Sequence, residues 1–318
     1  MAHRNKPVAG SRAYRPLKRA KTKKPRINSW PQSESKVLGF TGYKAGMTHC
    51  MVLDETKTSA TYGTEISIPV TILEAPPMKV VGVRLYVKGY GGTQSFTDIW
   101  CEEHDTKKTS KKRLEDAEKK LDNLQDIFLI TYTQTKLLHM AQKIPDVMEL
   151  ALSGEIKEKL DYAKSVLGKE ITVKEVFKEK QFIDLKSVTK GKGYGGVIKR
   201  YGVRKQASKA NGKRRHMGTG GSWKPKRKLW VEGMAGQVGY HTRTEYNKLI
   251  LKVGENGAEV TPDGGFLKYG PVKNDYIMVY GSVPGSQKRI VRMTFPRRSH
   301  KPVDLTIKNI NTKSKQGI

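Results

Sequence analysis

Residues 37–55 read VLGFTGYKAGMTHCMVLDE. Two apolar runs, VLGF and MTHCMVLD, flank a glycine-containing segment, so the pattern predicts a hairpin turning between Gly42 and Gly46. Residues 66–90, ISIPVTILEAPPMKVVGVRLYVKGY, predict two more strands broken at Pro76-Pro77, with Ile72, Val80, Val81, Val83, Leu85 and Val87 at strand-forming positions. Strand character returns at 182–189, 248–253, Val272, 275–281 and 289–295. Across residues 98–180 the period changes. Leu114, Ala117, Leu121 and Leu124, then Ile156, Leu160, Ala163 and Leu167, recur at three- and four-residue steps. Gly168 suits a C-cap, and Thr172 with Glu175 has capping-box spacing. This stretch reads as a mostly helical insertion. The expected fold class is therefore mainly β with an α insertion (α+β), the strands at both ends forming a small barrel.

The chain has 318 residues, with 61 Lys+Arg against 30 Asp+Glu, a net charge of +31. The excess is segregated. Residues 1–36 carry eleven Lys/Arg and one acid, Glu34; residues 181–231 carry fifteen and one, Asp184; residues 286–318 carry nine and one, Asp304. The strand-forming stretches 37–97 and 232–285, and the insertion 98–180, are each within one charge of neutrality. Neutral, core-forming pieces thus alternate with cationic arms, a distribution that calls for a polyanion. A solvated tail or localisation signal would explain the N-terminal arm by itself, but not three such arms. That arm, with few large apolar residues and Pro7, Pro16 and Pro25, is expected to be disordered free in water and to gain counterion-release free energy on phosphates.

The central arm is the most informative. Residues 186–231 hold no acid, nine glycines, and interleaved Tyr194, Tyr201, Trp223 and Trp230. Glycines let a backbone approach closely, Lys and Arg neutralise phosphates, and aromatic or guanidinium planes stack on unpaired bases. Such a stretch suits an extension threaded through RNA better than a free loop. The alternative, in which Trp223 anchors the loop onto its own barrel, leaves the charge unexplained.

Other patterns point away from catalysis. Gly191, Gly193 and Gly196 satisfy GxGxxG, but VIKRYGVRKQ follows without a clear apolar helix, and no acid for a ribose lies about twenty residues on. Cys101 and His104 have CxxH spacing and His49-Cys50 are adjacent, yet no second paired motif completes a zinc site; a buried cysteine and an ordinary histidine are expected. Asp98, Glu102, Glu103 and Asp105 read as helix-terminus or solvated charge. Catalytic residues, metal ligands and cofactors are expected to be none, apart from structural Mg²⁺ of an RNA partner. Two cysteines exclude a disulfide framework and fit a reducing compartment. No apolar run is long enough to span a bilayer, and the first residues lack a secretory signal pattern.

Three stretches carry a resemblance: GFTGYKAGMTHCMVLD; VTKGKGYGGVIKRYG continuing through GSWKPKRKLWVEGMAGQVGYHTRTEYNKLILKVG; and GGFLKYGPVKNDYIMVYGSVPGSQKRIVRM. Together they resemble the universal large-subunit ribosomal protein L-three family, archaeal type, over nearly the whole chain. The resemblance implies a six-stranded barrel of the translation-protein type (37–97 with 181–189 and 248–295). It also implies a basic N-terminal arm (1–36), the helical insertion (98–180), a central extension (190–247) and a basic tail (296–318). It implies a structural constituent of the large subunit that binds large-subunit rRNA, chiefly its 3′ region, assists early assembly, and sends its extension toward the peptidyl transferase centre. Trp223 matches the tryptophan at that extension's tip. Eukaryotic members commonly have a histidine twelve residues before it; here the position is Asn211, so no imidazole role carries over. Neighbouring ribosomal proteins are the other partners, in the cytoplasmic ribosome, with no membrane and no small-molecule substrate.

The rRNA-binding residues then expected are Arg4, Lys6, Arg12, Arg15, Lys18 and Arg19 in the N-terminal arm. In the extension they are Lys190, Lys192, Lys199, Arg200, Arg204, Lys205, Lys213, Arg214, Arg215, Trp223, Lys226, Arg227 and Lys228. Gln237, His241 and Arg243 follow in the return strand, and Arg297 and Arg298 near the C-terminus. The rival readings are an architectural DNA binder, which stacking aromatics in one loop disfavour, an RNA-modifying enzyme, for which no cofactor motif is present, and a cell-surface polyanion binder.

Overall fold

The structure is a computed structural model that describes residues 14–316 apart from 106–108, 120, 211–213, 219, 221–223, 225, 229–231 and 315. In chain order its strands and helices are β1 (Gly39–Asp54), β2 (Glu65–Glu74), β3 (Met78–Gly89), β4 (Gly92–Trp100), α1 (Ser110–Lys119), β5 (Leu124–Thr133), β6 (Val147–Ala151) and α2 (Ile156–Val166). There follow β7 (Glu170–Ile171), α3 (Val173–Val176), β8 (Phe182–Val188), β9 (Gly191–Gly195), α4 (Val197–Tyr201), β10 (Gly236–Gly239), β11 (Thr242–Gly254), β12 (Tyr276–Tyr280), β13 (Ile290–Thr294) and β14 (Leu305–Ile310). The protein is mainly β with few helices. By contacts it divides into one unit of residues 1–23 and 188–243 and another of 24–187 and 244–318.

The larger unit holds two sheets. In the first the hydrogen-bonded order is β13-β8-β11-β12-β2-β1-β14, and β13 also pairs with β1, so the pairing returns to its starting strand. Alternation along β8 and β13 sends Leu185, Val291 and Met293 into the core with Phe40, Leu73, Ile250, Ile277 and Val279. The second sheet runs β4-β3-β5-β6, with β7 beside β3. Its Val80, Val83, Leu85, Ile127 and Leu129 share that core with Leu160 and Ala163 of α2 and Val173 and Val176 of α3. A second cluster gathers Ala45, Cys50, Val52, Ile68, Val70, Leu249, Leu251, Tyr276 and Met278.

Three expectations are corrected here. The hairpin turn between Gly42 and Gly46 does not form: β1 runs straight through, paired with β2 from Tyr43↔Glu74 to Leu53↔Glu65 with one register shift between Lys44 and Gly46. These glycines serve close approach rather than turning. A Cβ at Gly42 would lie 2.9 Å from the Glu74 carbonyl oxygen, and one at Gly46 would lie 2.4 Å from the Phe266 ring. Second, residues 98–180 are not mostly helical. LQDIFLITYT forms β5, an internal strand of the second sheet, and β6 lies at its edge. The Leu114-to-Leu124 repeat therefore overshoots α1, which ends at Lys119. Third, β3 and part of β4, grouped with the barrel strands on sequence, belong to the second sheet with β5 to β7 instead, because the break at Pro76-Pro77 lets the chain leave the first sheet.

Other local readings hold. Glu175 Oε1 accepts from the Thr172 backbone N–H at 3.3 Å and its hydroxyl at 2.8 Å, starting α3. Gly168, with φ +81°, follows the end of α2. The C-terminal tail contributes a strand that the sequence reading lacked: β14 pairs with β1 from Cys50↔Ile310 to Asp54↔Leu305.

Candidate nucleic-acid interface

The smaller unit contains twenty-three Lys/Arg and a single acid, Glu232. Its root is a two-stranded ribbon, with Gly236↔Gly195, Gln237↔Tyr194 and Gly239↔Gly191 opposed in β9 and β10. A Cβ at Gly239, where φ is +71°, would lie 2.0 Å from the Lys190 carbonyl oxygen, so the ribbon closes only with glycine there. Of the GxGxxG glycines, Gly191 and Gly193 are thus ribbon residues and Gly196 is the N-cap of the five-residue α4.

Residues 14–20 pack onto this root, contrary to the expectation of a disordered arm. No apolar core is needed, because backbone bonds and ring stacking hold them. The Ala20 N–H donates to the Tyr240 carbonyl at 2.8 Å. His241 is buried, with Nδ1 2.7 Å from the Lys18 carbonyl oxygen. The Arg200 guanidinium donates to three backbone carbonyls: Gln237 at 3.0 Å, Met234 at 2.8 Å and Leu17 at 3.1 Å. Arg200 and Arg15 both stack on the Tyr201 ring, at 5.2 and 4.7 Å from its centroid. Arg19 stacks on Tyr240 at 5.1 Å and Arg243 on Tyr14 at 4.5 Å. Burial lowers the pKa of Arg243.

The expected RNA-binding residues thus separate into two groups. Lys18, Arg19, Lys190, Lys192, Lys199, Arg204, Lys205, Arg214, Arg215, Lys226, Arg227 and Lys228 are exposed; Lys228 also lies 3.5 Å from Glu232. Tyr194 presents 80% of its surface to solvent beside them. Arg15, Arg200, Gln237, His241 and Arg243 instead face inward. Gln237 Nε2 donates to the Val238 and Gly239 carbonyls, at 3.3 and 3.0 Å. Arg4, Lys6, Arg12, Lys213 and Trp223, and the departure at Asn211, lie outside the described residues. Sequence reading missed the structural use of Tyr14 and Tyr240; the signal available was their placement near arginines in segments too polar to form a core.

In the larger unit, Arg297 and Arg298 are both exposed. The Arg297 N–H donates to Asp184 Oδ2 at 3.1 Å, and Arg298 stacks 4.0 Å from the Tyr246 centroid. The acidic cluster divides: Asp105 is the helix-terminus charge expected, whereas Asp98 is a half-buried ion-pair partner on β4. Asp98 receives both forks of Arg84 at 2.7 Å, and Asp105 Oδ2 accepts the Ser110 N–H at the start of α1. Ligand atoms of Cys101, Glu103 and His104 lie within 4.8 Å of one another, with Glu103 held by the Lys79 ammonium at 2.7 Å. No helix among the described residues is long and apolar enough to cross a membrane.

A family profile described as ribosomal protein L3 matches residues 1–317. The chain belongs to the ribosomal protein L3 family. It is similar to large ribosomal subunit protein uL3 of Archaeoglobus fulgidus, 44% identical over 98% of this chain and 99% of that protein. The uL3 of Methanosphaera stadtmanae is 43% identical over the full length of both. That of Methanopyrus kandleri is 46% identical over 91% of this chain and 84% of its own. As an L3-family member of archaeal type, the chain is a structural protein of the large ribosomal subunit in the cytoplasm and not an enzyme. Its partners are rRNA and other ribosomal proteins.

Proposed function

We propose that this L3-family chain binds large-subunit rRNA chiefly in its 3′ region, joins the subunit early in assembly, and sends residues 190–247 toward the peptidyl transferase centre. The observation that carries this reading is the concentration of cations opposite a single acid, Glu232, in the unit of residues 1–23 and 188–243. A unit with so little apolar content gains its binding free energy from phosphates and stacked bases. The exposed lysines and arginines of the extension and the arm, with Arg4, Lys6, Arg12, Lys213, Arg297 and Arg298, neutralise phosphates. Arg15, Arg200, Gln237, His241 and Arg243 keep the root in shape and bring their remaining surface to the RNA. Trp223 positions rRNA at the tip, near the side where tRNA enters, and the chemistry there belongs to RNA. Mg²⁺ at the contact comes with the rRNA.

The strand ring β1-β2-β12-β11-β8-β13 supports a six-stranded barrel of the translation-protein type as the platform. The test is sedimentation of cell lysate before and after a high-salt wash. Stoichiometric retention on the large subunit is expected, because loosely held cationic binders are stripped by salt. Migration to the top fractions, or with DNA, would overturn the reading in favour of an architectural nucleic-acid binder. Trp223→Ala is expected to leave assembly largely intact and alter tRNA handling; unchanged peptidyl transfer and drug sensitivity would remove that role.

A further inference from the structure

The outer face of β8 and β13 carries an arrangement that folding alone does not favour. Lys186 and Arg292 sit directly opposite each other across the antiparallel pair. Like charges in that position destabilise a sheet. Arg292 is 6% exposed, and its guanidinium donates to the Pro25 and Glu149 backbone carbonyls and stacks on Trp30, 5.4 Å from the ring centroid. These acceptors are neutral, and the carboxylate that offsets part of its charge, Glu149, is itself paired with Arg84. Arg297 joins the group: its backbone N–H is fixed by Asp184 and its Nη2 donates to the Ser29 carbonyl at 2.5 Å.

Among the described residues no carboxylate forms an ion pair with Lys186, Arg292 or Arg297. Acids on β8, β11 and β6 are already committed. Asp184 accepts the backbone N–H groups of Asn247 and Arg297, Glu245 lies 3.8 Å from Lys248, and the Glu149 carboxylate is held by Arg84. Burial, then Arg297 and Arg292, lowers the pKa of Lys186, and burial brings that of Arg292 down to about 10.

We propose that Lys186 and Arg297, backed by the buried guanidinium of Arg292, seat a backbone phosphate of large-subunit rRNA on the sheet wall. A lysine ammonium supplies a compact point charge and an arginine a directional fork, the two ways proteins hold phosphate oxygens. The phosphate supplies the negative charge that the wall lacks. This rests on the rRNA-binding reading and adds Lys186, which lies in an ordinary strand pattern, to the rRNA-binding residues expected from the sequence.

The test uses the intact chain and a transcript of the 3′ domain of large-subunit rRNA over a salt series. Lys186→Gln is compared with wild type and with Lys199→Gln in the extension. The expected result is a slope of log K against log salt shallower by about one for Lys186→Gln. Its free-protein unfolding midpoint should be unchanged or raised, because the variant relieves the repulsion with Arg292. Acetylation of Lys186 should fall in assembled subunits relative to the free protein. An unchanged slope while Lys199→Gln loses about one overturns the seat alone. So does a lower unfolding midpoint, which marks Lys186 as a structural residue. Protection from acetylation with an unchanged slope points to cover by a neighbouring protein and likewise overturns it. Failure of the wild type to bind the transcript overturns the rRNA reading and the seat together.

Discussion

The hydroxyl of Tyr269 donates to Glu74 Oε2 at 2.5 Å inside a core where Glu74 has no solvent exposure. The other oxygen, Oε1, collects the Lys273 N–H at 3.0 Å, the Asn274 N–H at 3.0 Å and Asn274 Nδ2 at 2.8 Å. One carboxylate at the end of β2 thus fixes the loop that leads into β12. Burial, reinforced by the Glu74 carboxylate, raises the Tyr269 pKa. Glu74→Ala leaves the buried Tyr269 hydroxyl and two backbone N–H groups of the loop without this acceptor and is expected to destabilise the larger unit by about 2–5 kcal/mol. Tyr269→Phe removes one charge-assisted bond and should cost about 1.5–3 kcal/mol. Urea unfolding followed by fluorescence measures both, and equal losses would contradict the ranking.

Gly46 lies against the face of Phe266, which leaves no room for a methyl group. Gly46→Ala is expected to cost about 1–3 kcal/mol through overpacking. Adding Phe266→Leu should recover part of that loss, so the double-mutant cycle gives a coupling of at least about 0.5 kcal/mol. Simple additivity would place the strain elsewhere.

Asp54 has its pKa lowered to about 2, first by the Ser59 hydroxyl, then by the Thr61 hydroxyl and the Thr56 N–H. A depressed carboxylate stabilises the folded state above its unfolded pKa, near 3.9 for aspartate. That contribution is lost as pH falls through the folded value. Wild type should therefore lose stability between about pH 4 and pH 2 relative to Asp54→Asn, in which this group does not titrate. Parallel profiles for the two proteins would rule out the linkage.

Arg200 ties α4, the return strand and residue 17 together through three carbonyls. Arg200→Ala is expected to raise hydrogen exchange at the Ala20 amide by tenfold or more, since each charge-assisted bond is worth about 1.5–3 kcal/mol. Lysine cannot reproduce the fork, so Arg200→Lys should resemble Ala more than wild type. Full protection in Arg200→Lys would show that charge alone suffices.

Much of this was legible in the sequence, and the misses share a physical cause. Strand patterning located β2, β3, β8, β12 and β13, and two of the three cationic segments supply most of the smaller unit, while residues 286–318 fall in the larger one. Gly42 and Gly46 misled because a glycine admits a turn and a close approach equally well, and only Glu74 and Phe266, distant in sequence, decide between them. β5 was hidden because the apolar repeat of α1 continues through Leu121 and Leu124 into its start, although Ile127, Phe128, Ile130, Tyr132 and Thr133 have strand chemistry. The order in residues 14–20 was invisible to composition, since Tyr201, Tyr240 and backbone carbonyls do the work that apolar burial does elsewhere. Lys186 gave no sign because its significance depends on cross-strand register with Arg292.

The double use of β1 also governs when the fold can be completed. One side of this strand pairs with β13 over Gly39–Tyr43 and with β14 over Cys50–Asp54. Both partners leave a translating ribosome long after β1. At about 5–20 residues per second, the edge of β1 waits roughly 12–50 s for β13 after its own synthesis. During that interval an unpaired strand edge is open to wrong partners. The growing chain must therefore keep that edge from other partners until β13 and β14 emerge.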